Sequence, residues 1–564
     1  MITLTKVLAL LSLSSLVTSS PTPQPGAPVA VLANGSYYGV YNAEYDQDFF
    51  LGMPYAQAPV GDLRLARPQS LNTSWSSSRN ATQYGFSCIG YGPESSMASQ
   101  NDEDCLNLAV IRPARVNETM PVLVWIHGGG FTEGSSSTPY YNTSFLVQRS
   151  QEIGEPILAV SINYRLAAWG FMWSDQIVEQ GLTNVGMRDQ RMALHWVQEN
   201  IAAFGGDPSR VTIMGESAGA VSVNKHILAF NGRDDGLFQQ VISQSGPAAG
   251  QGPWERTQEK LGRATLNITE TLCPDAEDQL ACLRRVDTKA LDDAIKISLT
   301  IPSAGSLYGP VPDGDFMTGS SAQQLKEGNF PAIRYLIGSC TDEASLFVDT
   351  GINSDSELHD TLSGIYMGLN FTSATTLMSA YSSNDNDLGH QGLSNTHLNA
   401  TVGYQYRRLS TIMTDAIWKA GVHFTAEQWN VHNKSEVFVY NAEVPFSTVP
   451  QWVGASHGFD LAYMFNNVNG SGWEGTHPPW EGPNPLEGLG QPSLDLARDM
   501  SAMWVGFINS GVPKYDQQTS PEWPAYRESD QQIYYFAAGP TGLNNTVGKE
   551  QRVSNLKLMA SLVY

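Results

Sequence analysis

The strongest apolar runs in the chain are short, rich in β-branched residues and separated by stretches with helical periodicity. Val122-Leu123-Val124-Trp125-Ile126 and Ile157-Leu158-Ala159-Val160-Ser161-Ile162 lack polar alternation, the pattern of strands buried on both faces of a mainly parallel sheet. Between Asp189 and Ile201, the positions of Met192, Leu194, Trp196, Val197 and Ile201 predict a helix with a broad apolar face, which Gly205-Gly206-Asp207-Pro208 stops. A strand over Val211-Thr212-Ile213-Met214 then turns through Gly215-Glu216-Ser217-Ala218-Gly219 into a helix of small residues. Strands at 240–243 and 334–337 follow, with helical segments between them. Strands alternating with helices specify an α/β fold with a large, mostly parallel central sheet flanked by helices.

The first apolar run is of another kind. Lys6 precedes a stretch from Val7 to Val17, and small residues suited to cleavage follow up to Ser19. Residues 1–19 therefore predict a signal peptide, because the stretch is shorter than the roughly 20 residues a bilayer requires. Residues 20–564 then form one domain, since no shift of composition marks a linker. The last residues, Ser561-Leu562-Val563-Tyr564, carry no retrieval or lipid-anchor signal, so the expectation is a soluble, secreted protein without stable membrane association. Eleven Asn-x-Ser/Thr sequons, at Asn34, Asn72, Asn80, Asn117, Asn142, Asn267, Asn370, Asn399, Asn433, Asn469 and Asn544, predict a glycoprotein in that compartment. Five cysteines fit two local disulfides, Cys88–Cys105 and Cys273–Cys282, with Cys340 left as a thiol. Their spacing resembles no zinc site, and neither a metal nor a cofactor is expected. A net charge of −23 repels phosphate backbones and disfavours nucleic acid as a partner. Oligomeric state is not legible.

Chemistry enters with Gly215-Glu216-Ser217-Ala218-Gly219. Between a strand and a helix, Gly-x-Ser-x-Gly is a nucleophile elbow: both glycines lack Cβ, so the chain turns sharply and presents Ser217 Oγ at a helix N-terminus. Taken alone the five letters also describe an ordinary strand-to-helix turn. At another strand end stands His127-Gly128-Gly129-Gly130, whose unhindered N–H groups can point at a developing oxyanion; Gly129, Gly130 and Ala218 are the candidate donors. Ten histidines compete to be the general base. His195 and His226 fall on helices beside the elbow and read as packed or solvated, and His127 reads as a loop-orienting side chain. His457, in Gly454-Ala455-Ser456-His457-Gly458-Phe459-Asp460, lies in a loop of small residues, downstream of the serine as this type of fold orders it. The strand at 334–337 leads into Gly338-Ser339-Cys340-Thr341-Asp342-Glu343, which offers two acids for the third role and no local reason to choose between Asp342 and Glu343.

With these residues the chain resembles the type-B carboxylesterase family of α/β-hydrolases, which includes cholinesterases, lipases of the Candida type and non-catalytic adhesion proteins. The resemblance also rests on Phe50-Leu51-Gly52-Met53-Pro54-Tyr55-Ala56, Glu103-Asp104-Cys105-Leu106-Asn107-Leu108, residues 184–190 and 200–208, Ser243-Gln244-Ser245-Gly246 and Gly309-Pro310-Val311-Pro312-Asp313-Gly314, along nearly the whole chain beyond residue 19. It implies a small-molecule ester substrate, hydrolysed through an acyl-enzyme by Ser217, His457 and Glu343. The family acid is the glutamate of an Asp-Glu-Gly turn; here Ala344 replaces the glycine. Both disulfides are implied as well, with structural ion pairs using Glu103, Arg188 and Asp207. A choline ester is disfavoured, because the loop from Ile89 to Asp104 lacks the tryptophan of the family's choline site. In the lipases of the family that loop is long and carries an amphipathic lid helix, whereas sixteen residues with Gly90, Gly92 and Pro93 cannot build one. The expected function is ester hydrolysis on small to medium esters, against a lipase with a reduced lid or a non-catalytic binding protein. Pocket walls are expected from loops at 300–310, 345–375 and 450–475.

Overall fold

A computed structural model describes residues 26–115, 118–249, 257–301, 307–364, 367–382, 402–473, 484–516 and 518–563. Twelve strands form one mixed sheet: β1 (Val40–Asn42), β2 (Gln47–Pro54), β3 (Asn107–Pro113), β4 (Met120–Ile126), β5 (Leu158–Ile162), β6 (Gly206–Glu216), β7 (Gln240–Gln244), β8 (Arg334–Cys340), β9 (Val437–Glu443), β10 (Gln532–Gly539), β11 (Gly542–Leu543) and β12 (Thr546–Lys549). In space they run β11-β10-β9-β8-β7-β6-β4-β5-β3-β2-β1, with β12 also paired to β10. From β10 to β5 every pairing is parallel, and the pairings outside that block are antiparallel. This is the expected α/β-hydrolase architecture, parallel at its centre and antiparallel at its edges.

The continuous apolar runs follow from burial on both sides. Along β4, Val122, Val124 and Ile126 enter one hydrophobic cluster while Leu123 and Trp125 enter the cluster on the opposite face, and none of the five is exposed to solvent. The chain order explains where a ligand can sit. From β4 the chain passes to β5 on one side, then returns through the helix Val185–Asn200 to β6 on the other side of β4. A sheet whose connections diverge in this way opens a crevice at the carboxyl ends of the diverging strands, and here those strands end in Ile126 and Glu216.

Element boundaries depart from the sequence pattern where polar residues are buried in pairs. The helix expected from Asp189 begins at Val185, because Arg188, Asp189 and Gln190 are inside rather than on a solvent face. Arg188 pairs with Asp313 and Asp315, Asp189 receives the guanidinium of Arg165 at 2.6 Å, and Gln190 donates to Ser222. Strand β6 already starts at Gly206, with a register irregularity before Val211, and β8 extends through Cys340, so Gly338, Ser339 and Cys340 belong to the sheet rather than to the acid turn. Glu103 forms its expected ion pair, with Arg64 at 2.6 Å. Among the described residues Asp207 has no ion pair within 4.0 Å: its carboxylate accepts the N–H and the hydroxyl of Ser209 at 2.9 and 2.6 Å in a local turn, with Arg210 acting on it at longer range. The disulfides Cys88–Cys105 and Cys273–Cys282 are formed, and Cys340 is a buried free thiol.

A third hydrophobic cluster, from Ala344 through Trp418 to Met559, packs helices of the 344–420 region against the C-terminal helix Val553–Val563. Its polar tie is Asp415, fully buried, which accepts Arg552 Nη2 at 2.9 Å, Arg552 Nε at 3.0 Å and the hydroxyl of Tyr381 at 2.8 Å. Removing one partner strands the other charge in the interior. Asp415→Ala should therefore cost about 3–5 kcal/mol of unfolding free energy, read as a lower urea midpoint, while Asp415→Leu combined with Arg552→Met should recover most of it. A loss below about 1 kcal/mol in the single variant would show that this pair does not hold the cluster.

Candidate active site

The carboxyl ends of β4, β6, β7 and β8, together with a loop following β9, bring the candidate residues into the crevice. Ser217 directly follows β6 and caps the helix Ala218–Gly232 with φ 55° and ψ −122°, a conformation costly for a residue with a side chain. Neither flanking glycine has a positive φ; both are required by close approach. A Cβ on Gly219 would lie 2.0 Å from the carbonyl oxygen of Ile126, and one on Gly215 would lie 2.4 Å from the carbonyl carbon of Gly219. The strain thus sits on Ser217 itself, and the glycines let strand, elbow and helix pack tightly enough to hold it.

His457 Nε2 lies 2.8 Å from Ser217 Oγ, and its Nδ1 lies 2.6 Å from Glu343 Oε2. The choice between the two acids is decided by geometry: Glu343 faces the imidazole, while Asp342 clamps the histidine loop. Asp342 N–H donates to Ala455 O at 2.9 Å and Asp342 Oδ2 accepts Ala455 N–H at 3.1 Å. Ala344 needs no glycine, because its N–H donates to Thr414 Oγ1 at 3.0 Å within a 3-10 turn from Glu343 to Leu346. The other oxygen of Glu343 accepts the hydroxyl of Ser245 at 2.5 Å and the N–H of Cys340 at 2.6 Å. Both oxygens of this fully buried carboxylate are thereby hydrogen-bonded, as burial demands.

The glycine loop after β4 reaches the elbow: a Cβ on Gly128 would lie 3.2 Å from Ser217 Cβ, and Gly129 and Gly130 have φ of 86° and 62°. His127 stacks on Tyr164 at 4.4 Å between ring centres and its Nδ1 lies 3.0 Å from Gly128 O; burial pushes its pKa down to about 4. His226 is buried against Gln190, and His195 is exposed. Of the loops expected to wall the site, at 300–310, 345–375 and 450–475, residues 302–306, 365–366 and 474–475 lie outside the described residues. Phe347 and Trp418 do flank His457, with ring centres 5.6 and 5.1 Å away.

Three acids escaped the sequence reading. Glu216, the variable position of the elbow, places Oε1 3.3 Å from His457 Nε2, and burial pushes its own pKa up to about 8. Asp460 accepts Gln244 Nε2 at 3.0 Å and the hydroxyl of Tyr440 at 2.8 Å; burial lifts it to about 6. Glu94, from the Cys88–Cys105 loop, is lifted by burial to about 7. For His457, burial works against the charged ring, but the carboxylates of Glu216, Glu343 and Asp460 outweigh it and raise the pKa to about 9. The proton at neutral pH is a property of the Glu216–His457 pair. A serine followed three-dimensionally by an imidazole and a carboxylate is an arrangement that can activate a hydroxyl for attack on a carbonyl. Among the described residues no group of three or more His, Cys, Asp or Glu side chains is placed to hold a metal.

The sequence model of the carboxylesterase family matches residues 28–554. Lipase 2 of Diutina rugosa is 34% identical over 446 residues, covering 72% of this chain and 77% of its own length. Lipase 5 of the same organism is 37% identical over 361 residues, covering 59% and 65%.

With His457 as the candidate base, only its neutral imidazole could take the serine proton, so activity should fall as pH drops through the titration of His457. Because nearby carboxylates hold the imidazolium, the acid limb of kcat/KM should lie above the ordinary value of 6.5. Glu216→Gln removes one of those charges and should move the limb to lower pH. A limb that stays in place in this variant, or one at pH 4 in the wild type, would contradict the assignment.

Proposed function

The chain belongs to the carboxylesterase family and is a serine carboxylic ester hydrolase, and from that premise we propose that Ser217, His457 and Glu343 are its catalytic triad in a secreted enzyme acting on small to medium esters. The observation that carries this reading is the unbroken line of hydrogen bonds from Ser217 Oγ through the imidazole to Glu343. Ser217 Oγ bonds to the ester carbonyl carbon as its proton passes to His457 Nε2. The carbonyl oxygen takes up negative charge, which the N–H groups of Gly129, Gly130 and Ala218 meet; one such donor typically contributes about 3 kcal/mol to the transition state. The carbon–oxygen bond to the alcohol then breaks, and Nε2 returns its proton to the departing oxygen. Water repeats the sequence on the acyl-enzyme, giving the acid and free Ser217. Glu343, held by Ser245 and the Cys340 N–H, keeps the imidazole oriented throughout.

Secretion is supported by the apolar stretch at Val7 to Val17 and by the placement of the sequons. Asn72, Asn80, Asn267, Asn370, Asn433, Asn469 and Asn544 are exposed and Asn34 and Asn142 partly so, while Asn117 and Asn399 lie outside the described residues. Among the described residues no helix is long and apolar enough to cross a membrane. Residues 20–564 are taken as one domain because the same sheet draws strands from Val40 to Lys549.

The relatives named lipases favour a second reading, hydrolysis of lipid esters at an oil surface. Against it stands the loop between Cys88 and Cys105, whose helix is the single turn Glu94–Met97, too short to present an oily face that an interface could displace. The non-catalytic alternative has no support in a site where all three roles are filled.

Ser217→Ala should lower esterase turnover on the order of 10⁴-fold or more, because members of a triad act as a unit, and an organophosphonate should label Ser217 in the wild type. A folded variant keeping a tenth of the activity would remove Ser217 from the role. Rate against concentration of a short-chain ester decides between esterase and lipase: saturation below the solubility limit is expected, and a jump on crossing it would establish a lipase.

A further inference from the structure

The loop closed by Cys88 and Cys105 lies against the segment that follows β4: Ser99 meets Ser137 there, and next to the glycines themselves the Glu133 side chain joins the two. Glu133 stands just beyond Gly129 and Gly130. Its backbone closes the glycine loop, since the N–H groups of Thr132 and Glu133 both donate to Gly129 O at 3.0 Å. Its carboxylate leaves that loop and accepts the N–H of Glu94, the first residue of the Glu94–Met97 turn, at 2.8 Å. Alongside, Tyr91 N–H donates to Thr132 O at 2.7 Å. The approach is tight on both sides of Glu133. A Cβ on Gly92, at φ 153°, would lie 2.1 Å from Glu133 Oε2, and one on Gly129 would lie 2.3 Å from Glu133 O. Glu94 is itself anchored, its two carboxylate oxygens lying 3.4 and 3.5 Å from the hydroxyl of Tyr141.

Successive glycines at positive φ are conformationally loose and do not hold a shape unaided. An oxyanion donor nevertheless works only when it is fixed before charge develops, and a displacement of about 1 Å can cost about 10²-fold in rate. We infer that Glu133 is a positioning residue for the oxyanion donors, latching the Gly129–Gly130 loop to the Cys88–Cys105 loop through the Glu94 N–H. The disulfide loop, which has no lid to form, thereby becomes a fixed wall for the catalytic site. This inference rests on the reading of Gly129 and Gly130 as donors given above.

Four variants test it, with soluble-ester kinetics and with the affinity of a trifluoromethyl ketone, whose serine adduct places an oxyanion in the same position. Glu133→Ala should lower kcat about 10- to 100-fold with KM little changed, and ketone affinity should fall in step with kcat/KM. Glu133→Gln keeps an oxygen acceptor for the Glu94 N–H and should stay within a few-fold of wild type. Gly92→Ala pushes on the same carboxylate from the opposite loop and should reproduce the loss, so it carries the test if Glu133→Ala does not fold. Combining Gly92→Ala with Glu133→Ala removes the clash and leaves only the strain of an alanine at φ 153°, so the double loss should fall short of the sum of the two. The inference is overturned if Glu133→Ala and Gly92→Ala leave kcat/KM within twofold, if their losses add, or if kcat falls with ketone affinity unchanged. Ser217→Ala separates the two readings: if it is inactive while the Glu133 variants are normal, the triad stands and only the latch fails.

Discussion

A serine held at φ 55° and ψ −122° at the end of a buried strand is the constraint on which the rest of the site depends. Such a conformation persists only when the surroundings over-determine it. Here the surroundings are backbone: Gly215 against Gly219, and Gly219 against the carbonyl of Ile126 at the end of the neighbouring strand. The contact that permits the strain therefore also brings the carboxyl end of β4, with its glycine loop, beside the nucleophile. The proposed nucleophile and the proposed oxyanion donors are placed by one packing arrangement, and neither can be moved without the other.

The acid and the base reach that point from later strands, and their loops are tied together before they touch the serine. Asp342 and Ala455 exchange hydrogen bonds, and His457 N–H donates to Glu343 O at 3.3 Å. The two loops thus form one small backbone unit, from which the Glu343 carboxylate and the imidazole emerge already aligned. Preorganisation of this kind is what allows a hydrogen-bonded triad to work without reorganising during the reaction. Beside it stand Trp418, a member of the third hydrophobic cluster, and the more exposed Phe347 next to that ring; the polar tie of the cluster is the buried Asp415–Arg552 pair.

The charge environment is unusual in its one-sidedness. Glu216, Glu343 and Asp460 surround a single imidazole, and Glu94 and Glu133 stand behind the glycine loop. Burial lifts Glu216 to about 8, so part of this negative charge is withheld near neutral pH and becomes available when His457 takes up a proton. Coupled titration is the physical consequence of placing several acids in one dry crevice. It favours the imidazolium that serine attack creates, and it opposes the accumulation of negative charge when no proton has moved.

The sequence by itself determined the fold class, the strand-to-helix elbow, the glycine loop and both disulfides, and it singled out the histidine that lies beside Ser217, because each is written in local chemistry: apolar runs, glycine where Cβ cannot fit, cysteines close along the chain. It was silent or wrong where distant segments meet. Asp342 and Glu343 are neighbours with equal local claims, and only the turn of the chain after β8 decides which one faces His457. The same holds for Glu216, Asp460, Ser245 and Trp418, ordinary letters until the strand order gathers them. Asp207 was misjudged as an ion-pair partner because a nearby Ser209 satisfied it first. The helix beginning at Val185 was read too short because Arg188 and Asp189 look like surface residues until their partners are found. Local sequence encodes what a segment can be, whereas burial and pairing across the sheet, which set charge and orientation, exist only once the chain has folded.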